Sequence, residues 1–168
     1  MQNIIFIHGL ESSGRGFKGR FFKTIFPDIL TPDFKEFDPN IKMYDLLGAR
    51  MDELNSILEK KKKWVLIGSS FGGLMGTIYT LKNPDNVIRL ILLAPFLVSR
   101  KLKPSFYKAV DVPVTIFHGE KDNVVRYKPS LERAKMFFPN LEFNLVDDDH
   151  FLHKTVKSIN WKELIPNT

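Results

Sequence analysis

Val65-Leu66-Ile67-Gly68-Ser69-Ser70-Phe71-Gly72-Gly73-Leu74-Met75-Gly76 is the stretch whose reading decides the fold. From Trp64 to Ile67 the chain is apolar without interruption, as in a strand buried on both faces. A turn of small residues follows, and Leu74, Ile78 and Leu81 then recur at helical spacing. Within the turn, Gly68-Ser69-Ser70-Phe71-Gly72 fits the pattern G-x-S-x-G with Ser70 at its centre. That pattern belongs to a sharp strand-to-helix turn, which lifts one hydroxyl out of the sheet in a backbone state that most side chains resist. A helix beginning at Ser70 also aims unpaired N–H groups and its positive dipole end at any anion formed beside that hydroxyl. The plainer reading is a serine that only caps the helix. The rest of the chain decides between the two.

Working outward, Leu47, Met51, Leu54 and Leu58 mark an amphipathic helix before this strand, ending in the lysine run 60–63. After the elbow helix, Asn83-Pro84-Asp85 is a break, residues 87–94 read as a buried strand, and Pro95 ends it. At the start of the chain, residues 4–8 form another apolar strand, leading into His8-Gly9-Leu10-Glu11-Ser12-Ser13-Gly14. The glycines at 9 and 14 have P-loop spacing. Arg15-Gly16 stands where Lys-Ser/Thr is required, which excludes that kind of nucleotide site. Phe17, Phe21, Phe22, Ile25 and Phe26 share one helical face, stopped by Pro27, and a short strand fits 29–31. Beyond residue 96 comes a short basic segment to 111, carrying Arg100, Lys101, Lys103 and Lys108. A strand at 112–117 runs into His118-Gly119-Glu120-Lys121-Asp122-Asn123-Val124-Val125, and a helix is expected over 129–138. Leu141, Phe143 and Leu145 alternate as in a strand near a sheet edge, and Asp147-Asp148-Asp149-His150 precedes a last helical stretch reaching Trp161.

Strands and helices thus alternate along the whole chain, the pattern of a mostly parallel sheet of about six strands with helices on both faces, three layers in all. Functional groups of such a sheet gather just beyond the carboxyl ends of its strands. His8, Ser70, Asp122 and His150 each follow a predicted strand, so they converge on one edge.

Composition narrows the function classes. A length of 168 residues, 43% of them hydrophobic, suits one domain spanning 1–168 with an aromatic-rich core built around fifteen Phe. With no cysteine, disulfides and thiolate chemistry are excluded. The chain enters its first strand without a basic leader, and no apolar run approaches a membrane span, which predicts a soluble cytoplasmic protein. The net charge of +6 could suit nucleic acid, but it is dispersed and no nucleic-acid motif accompanies it. The run 60–63 closes a helix, where cations favour the dipole's negative end, so no nucleic-acid partner is expected.

A serine hydroxyl is a weak nucleophile near neutral pH and needs a base beside it, itself oriented by a carboxylate. The order Ser70, Asp122, His150 resembles the α/β-hydrolase superfamily. The resemblance rests on His8-Gly9-Leu10 after the first strand, Gly68-Ser69-Ser70-Phe71-Gly72 at the elbow, the loop 118–125 and Asp149-His150-Phe151. The compact size and the opening His-Gly-x-x-Ser-Ser are similar to small bacterial esterases of the YqiA type. The resemblance implies Ser70 as nucleophile, His150 as base and then acid, Asp122 as orienting acid, and the backbone N–H groups of Leu10 and Phe71 as the oxyanion hole. It implies no cofactor and no metal, and a small ester or thioester as substrate; an amide would use the same machinery. Glu120 or one of Asp147, Asp148 and Asp149 could instead supply the carboxylate, and His153 competes with His150. His8 fits a structural role fixing the oxyanion loop, and His118 one of burial at a strand end. The segment 96–111 is too short for the cap domain of larger relatives, so an open site is expected, bordered by its cations. The alternative is a degenerate hydrolase fold kept as a binding module; oligomeric state is not legible.

Overall fold

The computed structural model describes residues 2–166. Its elements follow the order β1 (Asn3–Ile7), α1 (Phe17–Ile25), α2 (Met43–Leu58), β2 (Trp64–Ser69), α3 (Phe71–Lys82), β3 (Val87–Leu93), β4 (Val114–Gly119), α4 (Tyr127–Phe137), β5 (Leu141–Val146), α5 (His153–Ser158) and α6 (Trp161–Leu164). The five strands make one sheet in the order β1-β2-β3-β4-β5, every pair parallel. The expected strand at 29–31 is reduced to a single parallel bridge between Leu30 and Ile5, made by Phe6 N–H to Leu30 O and Leu30 N–H to Ile4 O. Prolines at 27 and 32 flank it, and neither can donate to a ladder. The five-stranded parallel sheet among the described residues thus agrees with the expected sheet of about six strands, the short stretch 29–31 contributing only this bridge.

Alternate residues of each strand serve opposite faces, as the pleat requires. Ile5, Ile7, Leu66, Leu90, Leu92, Val114 and Ile116 pack with Leu54 and Leu58 of α2, Leu74 and Ile78 of α3, and Phe137 of α4. Ile4, Phe6, Val65, Ile67, Ile91 and Leu93 face the other way, against Phe22 of α1, Val156 of α5 and Trp161 of α6. Phe22 is fully buried and meets Trp161 edge-on, with ring centroids 4.7 Å apart. Truncating such a ring typically costs about 3–5 kcal/mol.

This layering positions the site. Leu30 flanks β1 on one side and β2 on the other. After β1 the chain turns to α1 on one face, and after β2 it turns to α3 on the opposite face. The loops leaving these adjacent strands therefore run to opposite faces of the sheet. The segment 96–111 contains two short 3-10 turns, Arg100–Leu102 and Pro104–Phe106, rather than a cap. Its Leu97 and Leu102 are buried in the core, and Arg133 of α4 donates to the carbonyls of Ser99 and Leu102. No helix among the described residues is long and apolar enough to cross a membrane.

Candidate active site

Ser70 stands between β2 and α3 with φ 53° and ψ −113°, a state that non-glycine residues rarely adopt. The surroundings over-determine it. Its N–H donates to Leu93 O (2.9 Å), and its carbonyl accepts from the N–H groups of Gly73 (2.9 Å), Leu74 (3.2 Å) and Phe96 (3.1 Å). The elbow glycines are required by close approach. A Cβ on Gly68 would lie 2.6 Å from the carbonyl oxygen of Gly72, and one on Gly72 would overlap the carbonyl oxygen of Ile7. The sharp turn thus presses α3 against the end of β1 and leaves Ser70 half-buried.

Two loops at the far side of the sheet reach this hydroxyl. His150 Nε2 is 3.1 Å from Ser70 Oγ, and His150 Nδ1 is 2.7 Å from Asp122 Oδ2. A carboxylate only accepts, so Nδ1 carries the proton and Nε2 is left to accept from the serine. Asp122 is held on all sides. Its Oδ1 accepts from the N–H groups of Val124 (2.9 Å) and Val125 (2.8 Å), and its Oδ2 also lies 3.1 Å from His118 Nε2. His118 Nε2 in turn faces Val125 O at 2.9 Å, so that nitrogen is the protonated one. Its Nδ1 is buried without a partner among the described residues. Burial pushes the His118 pKa below the ordinary histidine value, with Val125 O and Asp122 opposing. A second proton would sit on that orphaned nitrogen.

The structure separates the competing carboxylates. Asp147 pairs with Lys121 at 2.6 Å on the surface. Asp148 accepts from the Thr155 hydroxyl (2.7 Å) and N–H (2.9 Å), anchoring α5. Burial pushes the Asp148 pKa up, but the hydrogen bonds from Thr155 and Asp149 outweigh it and hold it below the usual range. Asp149 Oδ1 accepts from the N–H groups of Phe151 (2.9 Å) and Leu152 (3.3 Å). These acids shape the loop that presents His150, and buried Leu152 in the left-handed region (φ 54°) pins its end. No group of three or more His, Cys, Asp or Glu among the described residues could hold a metal ion. His153 packs tilted against Phe17, centroids 4.2 Å apart, and Glu120 is exposed.

The loop after β1 carries the part that sequence reasoning missed. His8 Nδ1 is 2.7 Å from Gly9 O, and His8 Nε2 accepts the Phe34 N–H at 3.0 Å. Both contacts fit only the neutral ring protonated at Nδ1, and burial pushes the His8 pKa down accordingly, with Gly9 opposing. Beneath the same loop lies Arg50 of α2, fully buried. Its Nη1 donates to Gly9 O (3.2 Å), Nη2 to Leu10 O (2.7 Å) and Nε to Lys35 O (2.7 Å). Its guanidinium carbon is 5.5 Å from the centre of the Phe71 ring. The signal was in the sequence: Leu47, Arg50, Leu54 and Leu58 share one helical stripe, and an arginine inside it is a buried cation that needs acceptors. The backbone N–H groups of Leu10 and Phe71 have no protein acceptor among the described residues, and a Cβ on Gly9 would lie 3.7 Å from the Ser70 Cβ.

A concavity of about 480 Å³ lies at the opposite end of the strands, lined by Ile29, Leu30, Ile57, Lys60, Lys61 and Trp64 among others, and none of Ser70, Asp122 and His150 borders it. Of the cations in 96–111, Lys101 Nζ lies 5.2 Å from the centre of the Tyr44 ring and Lys103 Nζ lies 5.8 Å from that of Phe106.

A parallel sheet with an elbow serine, an acid loop after β4 and a histidine loop after β5 is the architecture of one family. The profile of the α/β hydrolase fold matches residues 2–106, and the chain belongs to that family. No curated protein sequence matches it. Among solved structures it is similar to alpha/beta hydrolase domain-containing protein 10 from mouse, with TM-score 0.73 and 20% identity, covering 97% of this chain and 89% of that one. It is also similar to Est1E from Butyrivibrio proteoclasticus, whose structure holds ferulic acid, with TM-score 0.78, 16% identity and coverage of 98% and 89%. An esterase of Pyrococcus furiosus aligns with TM-score 0.71 at 18% identity, covering 98% and 80%. At these identities the likeness is one of fold. Hydrolases and esterases are the neighbours of this chain.

Proposed function

We propose that the protein is a serine hydrolase acting on carboxylic ester or thioester bonds through an acyl-enzyme on Ser70, and that residues 1–168 form a single catalytic domain. The observation that carries this reading is the continuous relay from Ser70 Oγ to His150 Nε2 (3.1 Å) and from His150 Nδ1 to Asp122 Oδ2 (2.7 Å), drawn from three separate loops. In the proposed reaction Ser70 Oγ attacks the carbonyl carbon while its proton passes to His150 Nε2. The carbonyl electron pair moves onto oxygen, and the oxyanion is held by the N–H groups of Leu10 and Phe71. Collapse breaks the bond to the leaving group, which takes the proton from His150 and departs as an alcohol or thiol. Water then attacks the acyl ester with His150 again as base, releasing the acid and restoring Ser70. Asp122 holds the imidazole in its tautomer and stabilises the imidazolium without itself taking the proton.

The connection at 96–111 supports an open site that admits a bulky acyl or leaving group. The partly accessible Ser70 and its hydrogen bond to His150 support this reading over the binding-module alternative. We infer a water-soluble protein of the cytoplasm with a small-molecule substrate and no requirement for metal or cofactor. The test is turnover of p-nitrophenyl acetate or butyrate by purified protein in the presence of EDTA. Ser70→Ala should stay folded and lose on the order of 10⁴–10⁶ in kcat. Wild-type turnover no faster than that of Ser70→Ala, across short esters and thioesters, contradicts the proposal.

A further inference from the structure

We infer that Arg50 is a positioning residue of the oxyanion hole: it orients and polarises the Gly9–Leu10 peptide so that the Leu10 N–H points into the site as a strengthened donor. The inference rests on the proposed hydrolase reading and goes beyond it in assigning a function to a buried cation that touches no reacting atom.

Gly9 C=O and Leu10 N–H are the two ends of one planar peptide unit. Where the carbonyl is tied, the N–H must point the opposite way. That carbonyl is tied twice, by His8 Nδ1–H at 2.7 Å and Arg50 Nη1 at 3.2 Å. The next carbonyl, of Leu10, is tied by Arg50 Nη2 at 2.7 Å, so the peptides on both sides of the Leu10 Cα are fixed by one guanidinium. The third arm, Nε to Lys35 O at 2.7 Å, holds the guanidinium plane still. The same group lies 5.5 Å from the centre of the Phe71 ring, the side chain of the residue whose N–H is the other proposed donor.

Polarisation follows from the same contacts. A hydrogen bond to a carbonyl draws electron density through the peptide and makes its N–H a better donor. A charged donor does this more strongly than a neutral one. No carboxylate lies within hydrogen-bond distance of the Arg50 guanidinium among the described residues. Its nearest acidic influence is Glu53, which accepts the Lys35 N–H at 2.9 Å. The field of the buried cation is therefore directed through Gly9 and Leu10. It matters most when negative charge develops on the substrate carbonyl, and less when the neutral ester binds. A purely structural arginine would affect folding and leave that difference alone.

The experiment compares wild type, Arg50→Lys and Arg50→Met on p-nitrophenyl butyrate, with a trifluoromethyl ketone as the probe that forms a hemiketal oxyanion on Ser70. The expected result is a fall of ~10²–10³ in kcat for both variants, the loss typical of one oxyanion-hole donor, with KM changed less than about 3-fold. Ketone affinity should fall by the same factor as kcat/KM, and in a third variant, Arg50→Ala, added methylguanidinium should restore part of the lost activity. Variants active within about 3-fold of wild type, or slow variants that bind the ketone undiminished, overturn the assignment. Should the variants not fold, the wild type decides: in ¹⁵N-labelled protein the Arg50 side-chain resonances should shift with those of Leu10 and Phe71 when the ketone adduct forms. Arg50 resonances that stay put while the two amides move overturn it equally. A wild type without Ser70-dependent turnover is the separate outcome in which the hydrolase reading fails and removes the oxyanion that Arg50 would serve.

Discussion

Acidification should weaken this fold through two buried histidines, and the size of the effect can be worked from their surroundings. His8 is 1% exposed and His118 is 0% exposed. The neutral tautomer of each is fixed by its contacts, and burial holds both pKa values below the ordinary one. His118 faces Asp122 on one side, yet its Nδ1 has no acceptor among the described residues. In the unfolded chain both rings titrate near pH 6.5. Below that value the unfolded state binds protons that the folded state refuses, so stability is present above about pH 6.5 and is lost as pH falls towards the lower folded values. The ceiling is about 1.4 kcal/mol per pH unit below 6.5 for each ring that stays neutral while its unfolded counterpart is charged, or about 4 kcal/mol for the two at pH 5. That is a large part of the roughly 5–15 kcal/mol available to a domain. Urea unfolding at pH 7, 6 and 5 measures it, with His118→Gln as the control. The glutamine amide can still donate towards Val125 O, but it does not titrate, so the loss over this interval should shrink. An identical pH dependence in wild type and His118→Gln would refute the reasoning for His118, and equal stability at pH 7 and 5 would refute it for both.

Other perturbations probe separate parts of the account. Gly72→Ala should destabilise by about 3 kcal/mol or more, since the new Cβ meets backbone oxygen of Ile7 and His8 that cannot move aside; a urea midpoint within error of wild type would contradict the elbow packing. Lys18, in the first turn of α1, has its pKa lowered to about 8 by burial, against the opposing pull of Asp149 and Asp148. Its acylation by a succinimidyl ester, followed by peptide mass spectrometry across pH 7–10, should be half-maximal near pH 8, whereas a midpoint near the ordinary lysine value would count against that environment. The cations of 96–111 should favour anionic substrates at low salt by ~10-fold or more. A neutral and a carboxylate-bearing ester of equal acyl length, compared at low and high salt in wild type and Lys101→Ala/Lys103→Ala, would dismiss this if both esters respond alike.

Much of the fold was legible because each strand is a run of branched or aromatic residues with a turn signal behind it. The stretch 64–76 announced the β2–α3 elbow, and the alternation of Leu141, Phe143 and Leu145 announced an edge strand, although Leu145 is 43% exposed. Boundaries slipped where proline chemistry intervened. Strand β4 begins at Val114, after Pro113, instead of 112, and α4 begins at Tyr127 with Pro129 inside its first turn. The last helical stretch divides into α5 and α6 at Ile159 and Asn160, both non-helical. At the site, Ser70, Asp122 and His150 could be named from strand ends and chain order, and the geometry brings them together. Two partners could not be named that way. Arg50 lay in a helix read for Leu47, Met51, Leu54 and Leu58 alone, and the contact of His118 with Asp122 depends on how the loop after β4 folds back on itself. Helical spacing places Arg50 in the buried stripe, but its carbonyl acceptors and the His118–Asp122 contact are tertiary, and no spacing encodes them.

The central claim is that Ser70 is the nucleophile, and the most direct measurement is its covalent capture. Purified protein treated with a fluorophosphonate should gain one phosphonyl group by intact mass, peptide mapping should place it on Ser70 and not on the adjacent Ser69, and the labelling should be abolished in Ser70→Ala and strongly slowed in His150→Ala. A folded wild type that takes up no phosphonyl group, or an adduct mapped to any other residue, would contradict the account.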